Sequence, residues 1–241
     1  MKKLSIITLL ILFLLPVHVF AKPATVSAKK DSVSVEGQFK KSFPKSNFES
    51  ISPTPLKGIY EVYAGNQVYY FIPKEEVIFA GPIVTKDGVN ITSDSMMKKT
   101  AKKMAGLSLD SALKIGHGKN VVVEFMDPHC FHCREAFKFF SKRQDVTMNI
   151  IFLPLSKESA QTIKSILCAK DPAKMFDDIM SGKIDDKTPL SACTDKKVDE
   201  TVKTHMKLAS QVGVGGTPLF YIKGQVINGF DVSAIERLLK E

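Results

Sequence analysis

Hydrophobic and polar positions change period several times along this chain, and each change marks an element. An unbroken apolar run from Leu4 to Leu15 follows Met1-Lys2-Lys3, and a polar, lysine-rich stretch then leads to a short helix expected around Val35 to Lys41. Alternating aromatic and β-branched residues on either side of Gly65-Asn66 predict a hairpin, Ile59 to Tyr63 and Val68 to Ile72. Val77 to Phe79 and a segment near Val89 to Ile91 are expected to continue that sheet. Ser93 or Asp94 can cap a helix through Met96 to Met104 that ends near Gly106. Its lysines read as a solvated face and its methionines as a strip that packs on something. After Gly116-His117-Gly118, the run Asn120 to Met126 predicts a buried strand, with a helix to about Arg143 and a strand from Met148 to Leu153. Helices are expected from about Lys157 to Lys170, from Asp171-Pro172 to Gly182, and from Lys197 to Val212. Strands at Leu219 to Lys223 and Val226 to Asn228 and a helix from Val232 to Lys240 close an alternating α/β order, with helices inserted after its second strand.

The first 21 residues change this picture. Two lysines, an apolar core too short for the roughly 20 residues that cross a bilayer, and Val19-Phe20-Ala21 read as a secretory signal peptide cut near Ala21. The expected division is 1–21 signal peptide, 22–92 N-terminal domain, 93–115 linker helix and 116–241 second domain. Loss of two lysines takes the net charge from +9 to +7, which in an exported chain reads as a solvated surface rather than a nucleic-acid site. Hydrophobic content of 44% argues against disorder. Four of the five tyrosines, Tyr60, Tyr63, Tyr69 and Tyr70, lie in the hairpin, where one face covers a core and the other is either half-buried or meets a partner. All four cysteines follow the cleavage site, and an even number in an oxidising compartment suggests two pairs.

Cys130-Phe131-His132-Cys133 falls where the Asn120 to Met126 strand should give way to a helix. The strand pins Cys130 at the rim of a rigid core, and the helix points unpaired amides and its positive dipole end at the sulfur, favouring the thiolate. Thiol–disulfide exchange needs an attacking thiolate and a nearby resolving thiol, so Cys130 is expected to attack and Cys133 to resolve. The same pair also suits a structural disulfide or half of a metal site joined by His129 and His132, for which copper is the fitting ion. A four-ligand zinc site finds no second Cys-x-x-Cys, and Arg134 stands where covalent haem attachment needs histidine. No cofactor is expected and no metal is assigned.

Four further readings concern single residues. His132 lies where an imidazole can hydrogen-bond or, if charged, stabilise the Cys130 thiolate; an exposed turn histidine is the alternative. His129 and Phe131 are candidate substrate contacts, His129 otherwise a solvated residue. Glu124 stands on an apolar strand, and buried behind the dithiol it would exchange protons with Cys133, whereas at a strand edge it would face solvent. Thr217-Pro218 follows a glycine-rich turn and precedes a strand, a setting that suits a cis peptide. Cys168 and Cys193 flank two helices and read as structural.

Phe125 to Cys133, the run Cys168 to Asp178 and Gly213 to Pro218 together resemble the DsbC/DsbG family of periplasmic disulfide isomerases, within the thioredoxin superfamily. The resemblance implies an α/β, thioredoxin-like catalytic domain with a helical insertion. Before it would come a small α+β, cystatin-like dimerisation domain and a linker helix. It implies that Cys130 is the nucleophile, that Thr217-Pro218 is a cis-proline loop facing the dithiol, and that Cys168 and Cys193 form a structural disulfide. It further implies a V-shaped homodimer whose apolar cleft holds misfolded or misoxidised exported proteins, kept reduced by a DsbD-like membrane reductase. Neither a nucleic-acid partner nor stable membrane insertion is expected. Phe131-His132 and Glu124 are closer to the oxidase DsbA, so a DsbA-like oxidase is an alternative function. A holdase chaperone and a metal-handling protein using the Cys/His cluster are two more.

Overall fold

The computed structural model describes residues 28–184, 188, 190 and 193–240, so the expected signal peptide lies outside the described residues. Helix α1 (Ala28–Ser42) precedes a four-stranded antiparallel sheet of β1 (Ser50–Pro53), β2 (Tyr60–Ala64), β3 (Gln67–Ile72) and β4 (Val77–Ala80), paired in chain order. Gly65 and Asn66 make the β2–β3 turn with φ of 56° and 61°, the left-handed pair that matches the twist of a two-residue hairpin. Alternation then sorts the strands. Val62 and Phe71 pack under Phe39 of α1, while Tyr63, Val68 and Tyr70 face the other way, against Met96 of the next helix. Both faces of the hairpin are therefore covered within the chain.

That next helix, α2 (Ile91–Met104), starts earlier than its sequence suggests. Asn90 is the cap, its side chain accepting from the Ser93 N–H, and Thr92 is held by Tyr70. The segment near Val89 to Ile91 consequently adds no strand; only an isolated bridge, Val84 to Asn90, forms there. Nor do all its lysines face water. Lys98 and Lys102 are exposed, but Lys99 and Lys103, one turn apart, lie 4.7 and 5.1 Å from the Tyr63 ring centroid, and Lys99 pairs with the buried Glu61 at 3.2 Å. Met97 and Met104 pack instead on the second domain, so α2 is wedged between the two sheets.

The second sheet has the order β5-β7-β6-β8-β9, built from β5 (Leu113–Ile115), β6 (Asn120–Met126), β7 (Val146–Phe152), β8 (Leu219–Ile222) and β9 (Gln225–Asn228). Only β6 and β7 are parallel, joined by α3 (Phe131–Phe140). Helices α4 (Lys157–Cys168), α5 (Pro172–Met180) and α6 (Lys196–Val212) form the insertion, and α7 (Val232–Lys240) closes the chain. β5, at residues expected to belong to the linker, is the antiparallel edge of this sheet. Gly213, at φ 80°, caps α6, and a Cβ there would meet Asn66 at 2.9 Å. The hairpin turn thus docks on the end of α6, where the Asn66 side chain donates to Ser210 O at 2.8 Å. Among the described residues no helix is long and apolar enough to cross a membrane.

Candidate active site

Strand β6 carries the site at its C-terminal end. Val122, Glu124 and Met126 share the face that meets α3, while Val123 and Phe125 face α6 and β8's other side. The chain leaves β6 through Asp127-Pro128, and Cys130 becomes the N-cap of α3 without a capping side-chain bond. Its sulfur is partly exposed and donates to Thr217 O at 3.4 Å. Cys133, one turn on, is fully buried in the core with Ala136 and Phe140. Both are thiols in this structure.

The two sulfurs therefore differ in solvation. Burial pushes the Cys133 thiol far up, and the neighbouring Glu124 carboxyl pushes it further, against a hydrogen bond from the Asp127 backbone. Glu124 is 3% exposed and its own pKa is raised, first by burial and then by Cys130. Its Oε1 has no hydrogen-bond partner among the described residues. The solvent-facing alternative for Glu124 does not apply.

His132 is exposed and its Nδ1 pairs with Glu135 Oε2 at 2.9 Å, one turn along α3. The structure thus brings its imidazole to a carboxyl rather than to the Cys130 sulfur. Phe131 is 68% exposed beside it and edge-on to its ring. His129 is anchored, with Nε2 2.9 Å from Thr162 Oγ1 of α4. Thr217-Pro218 is a cis peptide, with Pro218 buried. Cys168 and Cys193 are bonded to each other, 25 residues apart in sequence, away from the dithiol. Among the described residues no three His, Cys, Asp or Glu side chains assemble into a metal-binding group.

Two residues that sequence reasoning passed over hold the loop. Asp127 is 1% exposed, and its carboxyl accepts from His129 N–H at 2.7 Å, Leu155 N–H at 2.7 Å and Ser159 Oγ at 2.9 Å. Arg134 Nε donates to Pro128 O at 2.8 Å. The signal for Asp127 was an aspartate before proline at the end of an apolar strand, where its side chain can bond the backbone two residues on. Arg134 carries no such signal.

A dithiol capping the helix after a central parallel strand, with one sulfur at the surface, the other buried beside an acid, and a proline loop opposite, defines a thioredoxin-like thiol–disulfide oxidoreductase. The thioredoxin-like domain family matches residues 109–235, and the disulfide bond isomerase protein N-terminal domain matches residues 23–93. The chain belongs to the thioredoxin-like domain family and carries in addition a match to the disulfide bond isomerase N-terminal domain. It is 28% identical over 217 residues to the probable thiol:disulfide interchange protein DsbC of Bordetella avium, covering 84% of this chain and 76% of that protein. Against thiol:disulfide interchange protein DsbC of Escherichia coli K12 it is 26% identical over 213 residues, 84% of each. A solved disulfide interchange protein from Neisseria gonorrhoeae is 30% identical, with a TM-score of 0.47 over 56% of this chain and 96% of that one.

Proposed function

We propose that this chain is an exported disulfide isomerase that reshuffles wrong disulfides in other exported proteins, with Cys130 as nucleophile. The observation that carries the reading is the contrast between a partly exposed Cys130 and a buried Cys133 whose thiol burial pushes far up. Cys130 as thiolate attacks one sulfur of a substrate disulfide, forming a mixed disulfide and expelling the other substrate sulfur as a thiolate, which takes a proton from water. Either a substrate thiolate then attacks the bridge, releasing Cys130 and leaving a new substrate disulfide, or Cys133 attacks it and the substrate leaves reduced. The second route needs Cys133 to lose its proton, and Glu124, buried beside it, is the group to take it. A resolving thiol that ionises reluctantly closes slowly, which favours the first route. Phe131 and His129 flank Cys130 as contacts for the substrate, with the Thr217-Pro218 loop opposite.

The N-terminal sheet supports a homodimer joined along β4. β1, one edge, carries Pro53, which cannot donate to a further strand. β4, the other edge, exposes Val77, Ile78 and Phe79 at 45%, 37% and 45%, so both of its faces lack cover. A second copy pairing there would bury them and form a cleft between two catalytic domains. We read the first 21 residues as the export signal and the periplasm as the destination, with a membrane reductase of the DsbD kind returning the dithiol to its reduced form.

Refolding of a scrambled multi-disulfide protein tests the activity: Cys130→Ala should abolish it, and full retention would overturn the proposal. Equilibration of the dithiol with glutathione separates an isomerase, which stays reduced, from an oxidase. Light scattering should report a dimer that Phe79→Asp weakens.

A further inference from the structure

Behind the dithiol the second domain contains a cavity of about 200 Å³, lined in part by Glu124 and Cys133, whose interior the steps above leave unused. It runs between β5, the end of α3 and α5. Phe137, Phe140, Phe176 and Met148 wall it, Glu124 and Cys133 line its buried end, and the exposed Gly116 and Ser141 mark its mouth. Apart from Arg143 and Asp177 the wall is apolar and aromatic, yet the buried end holds a carboxyl oxygen, Glu124 Oε1, with no partner among the described residues. A buried acceptor in that condition is stabilised by any donor that reaches it without admitting bulk water. An apolar cavity of about 150 Å³ takes up benzene, so this one has room for a ring with a further fused or attached group.

We propose that this cavity binds a small neutral aromatic molecule with a single N–H or O–H donor, of the indole or phenol class, its ring against the three phenylalanines and its donor on Glu124 Oε1. Neutrality follows because the charged groups of the lining are already matched, Arg143 by Asp145 and Glu236 and Asp177 by Lys183, which leaves a charged ligand little compensation along the path from mouth to carboxyl. An occupied site would engage the carboxyl that takes the Cys133 proton and would slow closure of the Cys130–Cys133 disulfide. This consequence rests on the exchange reading above; the binding site itself does not.

The test uses the full reduced chain, titrated with indole and with indene, which has the same outline but no N–H. Methyl NMR of Met126, Met148, Ile115 and Ile150, all lining residues, reads the binding. Saturable shifts confined to these methyls are expected, with indole about ten-fold tighter than indene. In Glu124→Leu, which keeps an apolar wall, the two should bind alike. Ala173→Phe, in the wall at α5, should abolish both. Absence of saturable shifts, or equal affinity of the native chain for indole and indene, would overturn the site. The rate at which oxidised glutathione closes the dithiol should fall at saturating indole in the native chain and not in Ala173→Phe. An unchanged rate alongside measured binding would overturn the coupling and, with it, Glu124's part in the exchange reading, while the site would stand.

Discussion

Replacing Asp127 tests whether the active-site loop is held by one buried carboxyl. Its Oδ1 accepts from His129 N–H and Ser159 Oγ, and its Oδ2 accepts from Leu155 N–H. In Asp127→Ala, the Ser159 hydroxyl can turn to Ser156 Oγ, already 3.2 Å away, but the two amides lose the carboxyl they donate to. A buried donor left unpaired costs about 1–3 kcal/mol. Leu155 and His129 are both exposed residues, so water reaches their amides and the lower part of that range applies to each. The expected loss is therefore about 2 kcal/mol. Asp127→Asn keeps one acceptor oxygen for His129 and Ser159 and turns an N–H toward the Leu155 amide, so it should lose about half as much. Urea unfolding with unchanged slope reads both values. Because the same loop carries Cys130, its alkylation rate should also change in the alanine variant. A loss within about 0.5 kcal/mol of zero for Asp127→Ala, the range of an ordinary surface substitution, would refute the reasoning.

Three further outcomes follow from the same structure. Removing both Cys168 and Cys193 opens a loop closed across 25 residues of sequence and should lower stability by about 3.5 kcal/mol in the chain-entropy account, measured by urea unfolding, while leaving alkylation of Cys130 unchanged. Gly213→Ala places a side chain at φ 80° and against Asn66, and should lower the thermal midpoint by the equivalent of about 1–2 kcal/mol or more, whereas Gly215→Ala, with open space around it, should not. His205 is buried, with Nδ1 accepting from Phe152 N–H and Nε2 donating to Ser111 O, and burial lowers its pKa from 6.5. The unfolded chain therefore binds this proton more readily, so its contribution is complete above pH 6.5 and is lost as pH falls below that value; a His205→Asn variant should show a shallower decline in stability between pH 7 and 5.

The catalytic domain was largely legible because its elements announce themselves locally. Asp171-Pro172 starts α5, Gly213 ends α6, and the apolar run of β6, broken by Glu124, reads as a central strand. The N-terminal domain was harder. β1, Ser-Ile-Ser-Pro, carries no alternation worth the name and exists because β2 gives it a partner. β5 is three residues long, and its sheet supplies what its sequence lacks. The start of α2 was misplaced because Asn90, Ser93 and Asp94 are all competent caps, and only the Tyr70 contact to Thr92 decides among them. Lys99 and Lys103 look like solvent residues until Tyr63 is placed beneath them. Spacing alone located the dithiol, yet His132's partner, Glu135, lies within the same helical turn and was missed, because attention to the sulfur hid an ordinary i,i+3 pair.

The environment of Glu124 ties the two halves of the chemistry together. If this carboxyl were ionised while Cys130 is a thiolate, two negative charges would stand close together, and the thiolate raises the affinity of the buried Glu124 for a proton. A Cys130 thiolate is therefore best served by a protonated Glu124 behind it. Once Cys130 enters a mixed disulfide its charge is gone, and that opposition to ionising Glu124 goes with it. In the proposed exchange Glu124 then releases its own proton to solvent and, as a carboxylate, is a base when Cys133 must give up a proton. Formation of the mixed disulfide thus enables its own resolution, and the residual burial of Glu124 and Cys133 sets how slowly that follows. A substrate with a thiol already near the bridge can act first. One that has none waits for Cys133, so the same centre rearranges substrates that can rearrange and reduces those that cannot.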